Sequence, residues 1–162
     1  MSLKYSILIV EDEIDLGESL RELLMEDYNR IDIAIDGSEA LKKIESHKYD
    51  LIISDILMPV MSGLDLLRNL RLKGVQTPLI FMTGNGTKDL VQSAIKLGAV
   101  DFIDKPITIG SLKEVVESSL QIEEHKKNIL DLERDSQPDS DLIRGEQMAL
   151  GIKQVSRDRR KN

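Results

Sequence analysis

The chain has 162 residues, of which 41% are hydrophobic and 31% are charged, a composition typical of one soluble domain of ordinary size with a short remainder. Its formal net charge of -7 argues against a nucleic-acid-binding surface over most of its length, because phosphate contacts need clustered lysine and arginine. The absence of cysteine excludes disulfides and thiolate metal sites. No apolar run approaches the ~20 residues that span a bilayer, so we expect a cytoplasmic protein without a membrane partner.

Strand and helix patterns alternate five times along the chain. Short apolar runs that end in polar residues are typical of buried parallel strands; they are Ile7–Val10, Leu51–Ile53, Leu79–Met82 and Phe102–Ile103. The run from Ile31 to Ile35 instead alternates Ile with Asp32 and Ala34, which is the pattern of a half-exposed edge strand. The sequence therefore predicts an α/β fold, a doubly wound five-stranded parallel sheet in the order 2-1-3-4-5.

Polar residues mark the ends of the helices between these strands. Asp36 with Glu39, and Ser62 with Asp65, have the spacing of capping boxes. Four further residues are predicted to begin or end helices; Thr87 and Thr108 are expected N-caps, and Gly74 and Gly98 are expected ends. The fourth helix is expected to bury a face made of Leu90, Val91, Ala94 and Ile95.

The character of the chain changes after about residue 122. We expect one domain over residues 1–122, a helical extension of the last helix over 123–134, and a flexible linker with a basic tail over 135–162. The spacing of Val115, Ile122, Ile129 and Leu132 predicts a thin apolar seam along the last helix and its extension. Two interpretations remain open, a solvated helix that frays before Pro138 and a helix that binds a partner or a second copy.

Acidic, hydroxyl and basic residues follow the strand patterns at the points where the strands end. Glu11 and Asp12 follow the first strand, and Asp55, Thr83 and Lys105 follow or end the third, fourth and fifth. Each of them alone has an ordinary structural explanation, such as a helix cap or a solvated side chain. Together, at the carboxyl ends of parallel strands, they predict one pocket for a divalent cation, favouring Mg²⁺, and a phosphoryl group.

These motifs, in this order, resemble the signature of response-regulator receiver domains, the CheY-like family with a flavodoxin-like fold. The matching residues are Glu11-Asp12, Asp55 with Met58-Pro59 and Gly63, Thr83-Gly84 and Lys105-Pro106, and the resemblance extends from residue 5 to about 122. It implies a single-domain form of a two-component or phosphorelay switch that is not a conventional enzyme but catalyses its own aspartyl phosphorylation and dephosphorylation.

The resemblance also implies a role for each residue of the pocket. Asp55 would accept a phosphoryl group from a histidine kinase or a phosphotransfer protein, and Thr83 and Lys105 would bind the phosphoryl oxygens. The Mg²⁺ ligands would be Asp12, Asp55, the backbone carbonyl of Leu57 and, through water, Glu11.

Three further residues have an implied role beside an ordinary one. Phe102 stands where the family often has a switching aromatic residue, with plain core packing as the alternative. Leu57 and Asn85 stand where the family tunes the phosphoryl lifetime, and Leu57 is equally well explained as a tolerated loop residue.

Three other functions compete with this hypothesis. A binding module that is never phosphorylated is disfavoured by the complete set of pocket residues. A phosphate-ester hydrolase would need a second acid close to the nucleophile, and Ile56-Leu57 offers none. A transcription factor would need a DNA-binding domain after residue 122, so we expect no nucleic-acid binding by this chain alone. The expected partners are a histidine kinase or phosphotransfer protein, an unidentified downstream protein, and a second copy through the last helix.

Overall fold

The structure is a computed structural model, and it describes residues 4–85 and 87–136 of the chain. Strands and helices alternate throughout this part, as the apolar patterns predicted. In chain order the elements are β1 (Ser6–Val10), α1 (Ile14–Leu24), β2 (Arg30–Ala34), α2 (Gly37–Ser46), β3 (Leu51–Asp55), α3 (Gly63–Leu72), β4 (Leu79–Thr83), α4 (Lys88–Lys96), β5 (Asp101–Asp104) and α5 (Ile109–Asp135).

The five strands form one parallel sheet in the order β2-β1-β3-β4-β5, which confirms the predicted fold class. Successive residues of β1 serve opposite faces of this sheet, because side chains alternate along a strand. Ile7 and Ile9 belong to a core with α1 and α5 residues, whereas Leu8 and Val10 belong to a second core with residues of α2, α3 and α4. Both faces are thus covered, and each fully buried aliphatic side chain contributes about 1.5–3 kcal/mol.

The helix ends agree with the sequence in most places. Asp36 and Ser62 accept hydrogen bonds from the backbone N–H groups of Glu39 and Asp65, at 2.8 and 3.1 Å. Thr108 likewise accepts from the N–H of Ser111 at 3.1 Å. Gly74 and Gly98 have positive φ values of 77° and 89°, a conformation that glycine adopts without a Cβ penalty.

Three local expectations differ from the structure. Thr87 precedes α4, but its hydroxyl makes no cap bond and instead donates to the carbonyl of Gly84 at 2.8 Å. Ile95 is 57% exposed, because it lies beside the face that Ala94 buries. Ile35 lies past the end of β2 and is 48% exposed, so only Ile31 and Ile33 of the alternating run pack against the core.

Contacts divide the chain into two units, Met1–Glu123 and Glu124–Asn162. The first unit contains the sheet and the packed part of α5, whose Leu112, Val116 and Leu120 are buried. In the second unit α5 continues to Asp135, with Ile129 and Leu132 exposed by 56% and 67%. Most of the predicted linker, and the basic end from Arg157 to Lys161, lie outside the described residues. No helix in the described ranges has the length and apolar character needed to cross a membrane.

Gly63, the first residue of α3, stands where no side chain fits. Its N–H donates to the carbonyl of Ile56 at 2.9 Å, which closes the loop that follows β3. A Cβ at this position would overlap the carbonyl oxygen of Asp55 and would lie 2.7 Å from Cε1 of Phe81. Glycine is therefore required by the close approach of α3 to the end of β3.

Replacing this glycine is expected to lower the free energy of unfolding. Gly63→Ala should cost about 3 kcal/mol or more, because backbone and a buried ring must move to make room. Gly110→Ala on α5, where the nearest atom would be 4.0 Å away, is the matched control and should be neutral or stabilising by up to ~1 kcal/mol. Urea denaturation of both variants tests this, and equal midpoints would contradict the packing argument.

Candidate functional site

The carboxyl ends of β1, β3, β4 and β5 bring the predicted pocket residues to one edge of the sheet. Asp55 and Thr83 are the last residues of β3 and β4, and Lys105 follows β5 directly. Glu11 and Asp12 follow β1, and the N–H of Glu11 donates to the carbonyl of Ala34 at the end of β2 at 3.0 Å. Parallel strand order thus assembles residues that are far apart in sequence.

Lys105 is the cation at the centre of this group. Its Nζ lies 2.8 Å from Oδ2 of Asp55 and 3.4 Å from Oε2 of Glu11. The three side chains are 26%, 13% and 0% exposed, so water screens their charges only partly. Burial on its own lowers the pKa of Lys105, but the hydrogen bond and charge of Asp55, together with Glu11, outweigh it and raise that pKa.

Glu11 is the fully buried member of the group. Its Oε1 accepts a hydrogen bond from the N–H of Glu13 at 3.1 Å, and its Oε2 faces Lys105. Burial raises the pKa of Glu11 and the charge of Asp55 adds to the rise, while the Glu13 bond and Lys105 work against it. The carboxylate is thus held in one place but remains costly to ionise.

Glu11, Asp12 and Asp55 together form a cluster of carboxylates. Each offers one oxygen, and these oxygens all lie within 4.8 Å of one another. Three carboxylates against one ammonium leave the cluster with excess negative charge. Oxygen donors of this charge at an open sheet edge, with Asp12 exposed, fit a hard divalent cation such as Mg²⁺.

Thr83 is hydrogen-bonded to the end of β5 in the structure. The side chain is buried, and Oγ1 donates a hydrogen bond to Oδ1 of Asp104 at 2.9 Å. The carbonyl of the same threonine accepts from the N–H of Lys105 at 2.7 Å. Both groups of Thr83 are therefore bonded to the end of β5.

The three remaining predicted residues lie in the loops after β3 and β4 and in β5. Leu57 and Asn85 occupy the loops after β3 and β4, and both are exposed, Leu57 by 54%. Phe102 is half-buried in β5 and stacks on Phe81, with ring centroids 6.3 Å apart and an angle of 27° between the ring planes. Aromatic packing of this kind is the ordinary role that the sequence left open.

Sequence reasoning missed two residues that shape the site. The first is Asp104, the last residue of β5, which the strand order makes the register partner of Thr83. Ser54 is fully buried and its Oγ donates to the carbonyl of Asp55 at 2.8 Å. A hydroxyl in the apolar run before Asp55 was the only signal for this contact.

Comparisons with known proteins agree with this geometry. The family model of the response regulator receiver domain matches residues 7–117. The transcriptional regulatory protein DltR of Streptococcus agalactiae serotype III (strain NEM316) is 39% identical over 107 residues, which are 65% of this chain and 47% of DltR. The response regulator ArlR of Staphylococcus aureus (strain Mu50 / ATCC 700699) is 40% identical over 128 residues, covering 78% and 57% of the two chains.

Solved structures give the same picture. The signal receiver domain of a putative Luxo repressor protein from Vibrio parahaemolyticus is 31% identical, with a TM-score of 0.73 over 78% of this chain and 98% of that one. The chemotaxis response regulator CheY4 of Vibrio cholerae is 27% identical, with a TM-score of 0.66 over 71% and 98%. Those two solved chains are matched over nearly their whole length, whereas the chain spans about half the length of the curated relatives it matches.

The buried carboxyl of Glu11 predicts a pH-dependent gain in stability when its charge is removed. A carboxyl with a raised folded pKa contributes its full stability only below its ordinary value of 4.5, and this contribution is lost as the pH rises through the folded value. Glu11→Gln should therefore be more stable than the wild type near neutral pH, and the gain should shrink as the pH falls below 4.5.

Chemical denaturation of the metal-free protein across this pH range measures the effect. Glu22→Gln, an exposed position on α1, is the matched control and should show no such pH dependence. A wild type that is the more stable protein near neutral pH would mean that the Lys105 and Glu13 contacts outweigh the burial of Glu11.

Proposed function

Because the chain belongs to the family of response regulator receiver domains, we propose that Asp55 accepts a phosphoryl group and that this modification switches a partner-binding surface. Receiver domains of this family are phosphorylation-dependent signalling switches rather than conventional enzymes. The observation that carries the proposal is the contact of Lys105 Nζ with Asp55 Oδ2 at 2.8 Å, beside two further carboxylates.

The reaction that we propose is a transfer from a phosphohistidine of a histidine kinase or a phosphotransfer protein. A carboxylate oxygen of Asp55 attacks phosphorus, the P–N bond breaks, and its electron pair returns to the imidazole. The product is an acyl phosphate on Asp55. Lys105 supports this step because its ammonium remains beside the attacking carboxylate and can donate to a phosphoryl oxygen.

The pocket also fits the Mg²⁺ that receiver domains generally bind. The residues that would hold it are Asp12, Asp55 and the Leu57 carbonyl, with Glu11 acting through water. When bound, such a cation offsets the negative charge of the carboxylates and of the incoming phosphoryl group. Glu11 is positioned for this by the bond from the N–H of Glu13, and Asp55 is positioned by the register of β3 between β1 and β4.

Switching would follow from the new charge on Asp55. Thr83 and Lys105 are the donors available to the phosphoryl oxygens, and the N–H of Lys105, the residue after β5, donates to the carbonyl of Thr83 at 2.7 Å. Phe102 lies in β5, so a shift of this strand would alter its packing against the buried ring of Phe81. The surface that we expect to respond is formed by α4, β5 and α5, where Ile95 and Val100 are exposed. A ligand that favours one of two conformations shifts their populations in this way.

The proposal concerns the receiver function alone. DltR is named a transcriptional regulatory protein, and the part that this chain matches is 47% of it. We further expect that the protein binds a downstream partner, that it binds a second copy through α5, and that it is located in the cytoplasm. We also expect it to catalyse the loss of its own phosphoryl group.

The first test concerns the acceptor. Incubation with Mg²⁺ and acetyl phosphate should add the mass of one phosphoryl group to the wild type and none to Asp55→Asn. Asp50→Asn is the matched control, because Asp50 precedes the same strand at its other end and bonds the N–H of Ser6 at 2.9 Å. Intact-protein mass spectrometry measures the uptake, and peptide mapping of the label to Asp12 or Glu11 would refute the assignment.

The second test concerns the lifetime of the phosphoryl group. If Leu57 excludes attacking water, Leu57→Asn should speed the loss of phosphate several-fold, because an amide can orient water where an alkyl group cannot. Val60→Asn makes the same chemical change in the same loop, at a side chain that is 85% exposed, and should leave the rate unchanged. A phosphate-release assay compares the three proteins, and an unchanged rate in Leu57→Asn would leave Leu57 as an ordinary loop residue.

A further inference from the structure

The end of β5 contains an acid, Asp104, whose side chain is hydrogen-bonded to the proposed switch residue. Thr83 and Asp104 are register partners at the ends of β4 and β5. The hydroxyl of Thr83 donates to Oδ1 of Asp104 at 2.9 Å, and Thr83 is 7% exposed. Within the described residues, the carboxylate of Asp104 has no other hydrogen bond or ion pair.

A hydroxyl has one hydrogen to donate. Phosphoryl oxygens only accept at neutral pH, so Thr83 can serve a phosphoryl group on Asp55 only by giving up its bond to Asp104. Two anionic acceptors, one on each side of β4, therefore compete for a single hydrogen atom. In the unphosphorylated arrangement, the hydroxyl of Thr83 donates this hydrogen to Asp104.

From this competition we propose that Asp104 is a positioning residue. It holds Thr83 in the unphosphorylated arrangement and so opposes the change to the switched conformation. The inference rests on the proposed function of Asp55 and adds a residue to it. We refer to the Thr83–Asp104 bond as the latch.

The environment of Asp104 makes the latch reversible. Asp104 is exposed, whereas Thr83 is buried. When the bond opens, the carboxylate passes to water without the penalty of a buried unpaired charge. The latch is thus strong enough to bias Thr83 but weak enough for a phosphoryl group to overcome.

Opening the latch also changes the end of β5. The carbonyl of Thr83 stays bonded to the N–H of Lys105 at 2.7 Å, so a movement of Thr83 towards Asp55 pulls on the backbone next to Asp104. Phe102 shares the face of β5 on which Asp104 lies, because the two are two residues apart in one strand. The latch therefore joins the pocket to the aromatic contact with Phe81.

Removing the latch should make the switched state easier to reach. In the presence of Mg²⁺, Asp104→Ala should half-saturate with beryllofluoride at about one fifth of the wild-type concentration, as expected for the loss of one modest hydrogen bond. In the NMR spectrum of Asp104→Ala without beryllofluoride, the backbone amide resonance of Thr83 should be shifted towards the position that it has in the wild type saturated with beryllofluoride. Asp101→Ala, at the other end of β5, is the matched control and should do neither.

A double-mutant cycle separates the latch from simple charge repulsion between Asp104 and the bound anion. If Asp104 acts through the hydroxyl, Asp104→Ala should change binding less than about twofold in a Thr83→Val background. An equal effect in both backgrounds, or no effect in the Thr83-containing protein, would overturn the latch while leaving the role of Asp55 intact. A wild type that binds no beryllofluoride would instead overturn the proposed function, and the latch with it.

Discussion

The ammonium of Lys105 is the interaction on which the rest of the site depends. Three carboxylates meet at one edge of the sheet, and like charges at such distances repel each other. Lys105 lies within 3.4 Å of two of them, which allows the acids to remain close in the protein without bound metal. The burial of Glu11 and the strand-end position of Asp55 are tolerable because this cation is present. The fold contributes by ending β5 next to β4, from where the side chain of Lys105 reaches across to β3 and β1.

Much of this arrangement could be predicted from the sequence, because apolar periodicity defines parallel strands and their carboxyl ends share an edge. The strand order, the capping residues Asp36 and Ser62, and the convergence of the acids with Lys105 follow from such patterns. Side-chain partners do not follow. Whether Thr83 points towards Asp55 or towards Asp104 depends on rotamers and on strand register, which no local pattern reports. The Thr87 hydroxyl escaped prediction for the same reason, because it bonds Gly84 instead of capping α4.

Two parts of the chain differ in what constrains them. Within Met1–Glu123 every predicted helix has an apolar face that packs against the sheet. Within Glu124–Asn162 the described part of α5 presents Ile129, Leu130 and Leu132 to solvent. Helical propensity and charge pattern are sufficient to predict that a helix continues there. They do not identify what contacts its apolar residues, since the packing that decides between a solvated and a bound helix is not local.

The contact of Lys105 with Glu11 joins residues 94 positions apart, and its contact with Asp55 joins residues 50 positions apart. A pocket built from such long-range pairs cannot exist in a partly assembled chain, because β1, β3 and β5 must all be in register before the charges meet. The chain must also be synthesised through Lys105 before any acidic cluster is neutralised. Competence for the proposed phosphoryl transfer would therefore depend on completed folding of the sheet, and a nascent chain that ends before Lys105 would lack the pocket.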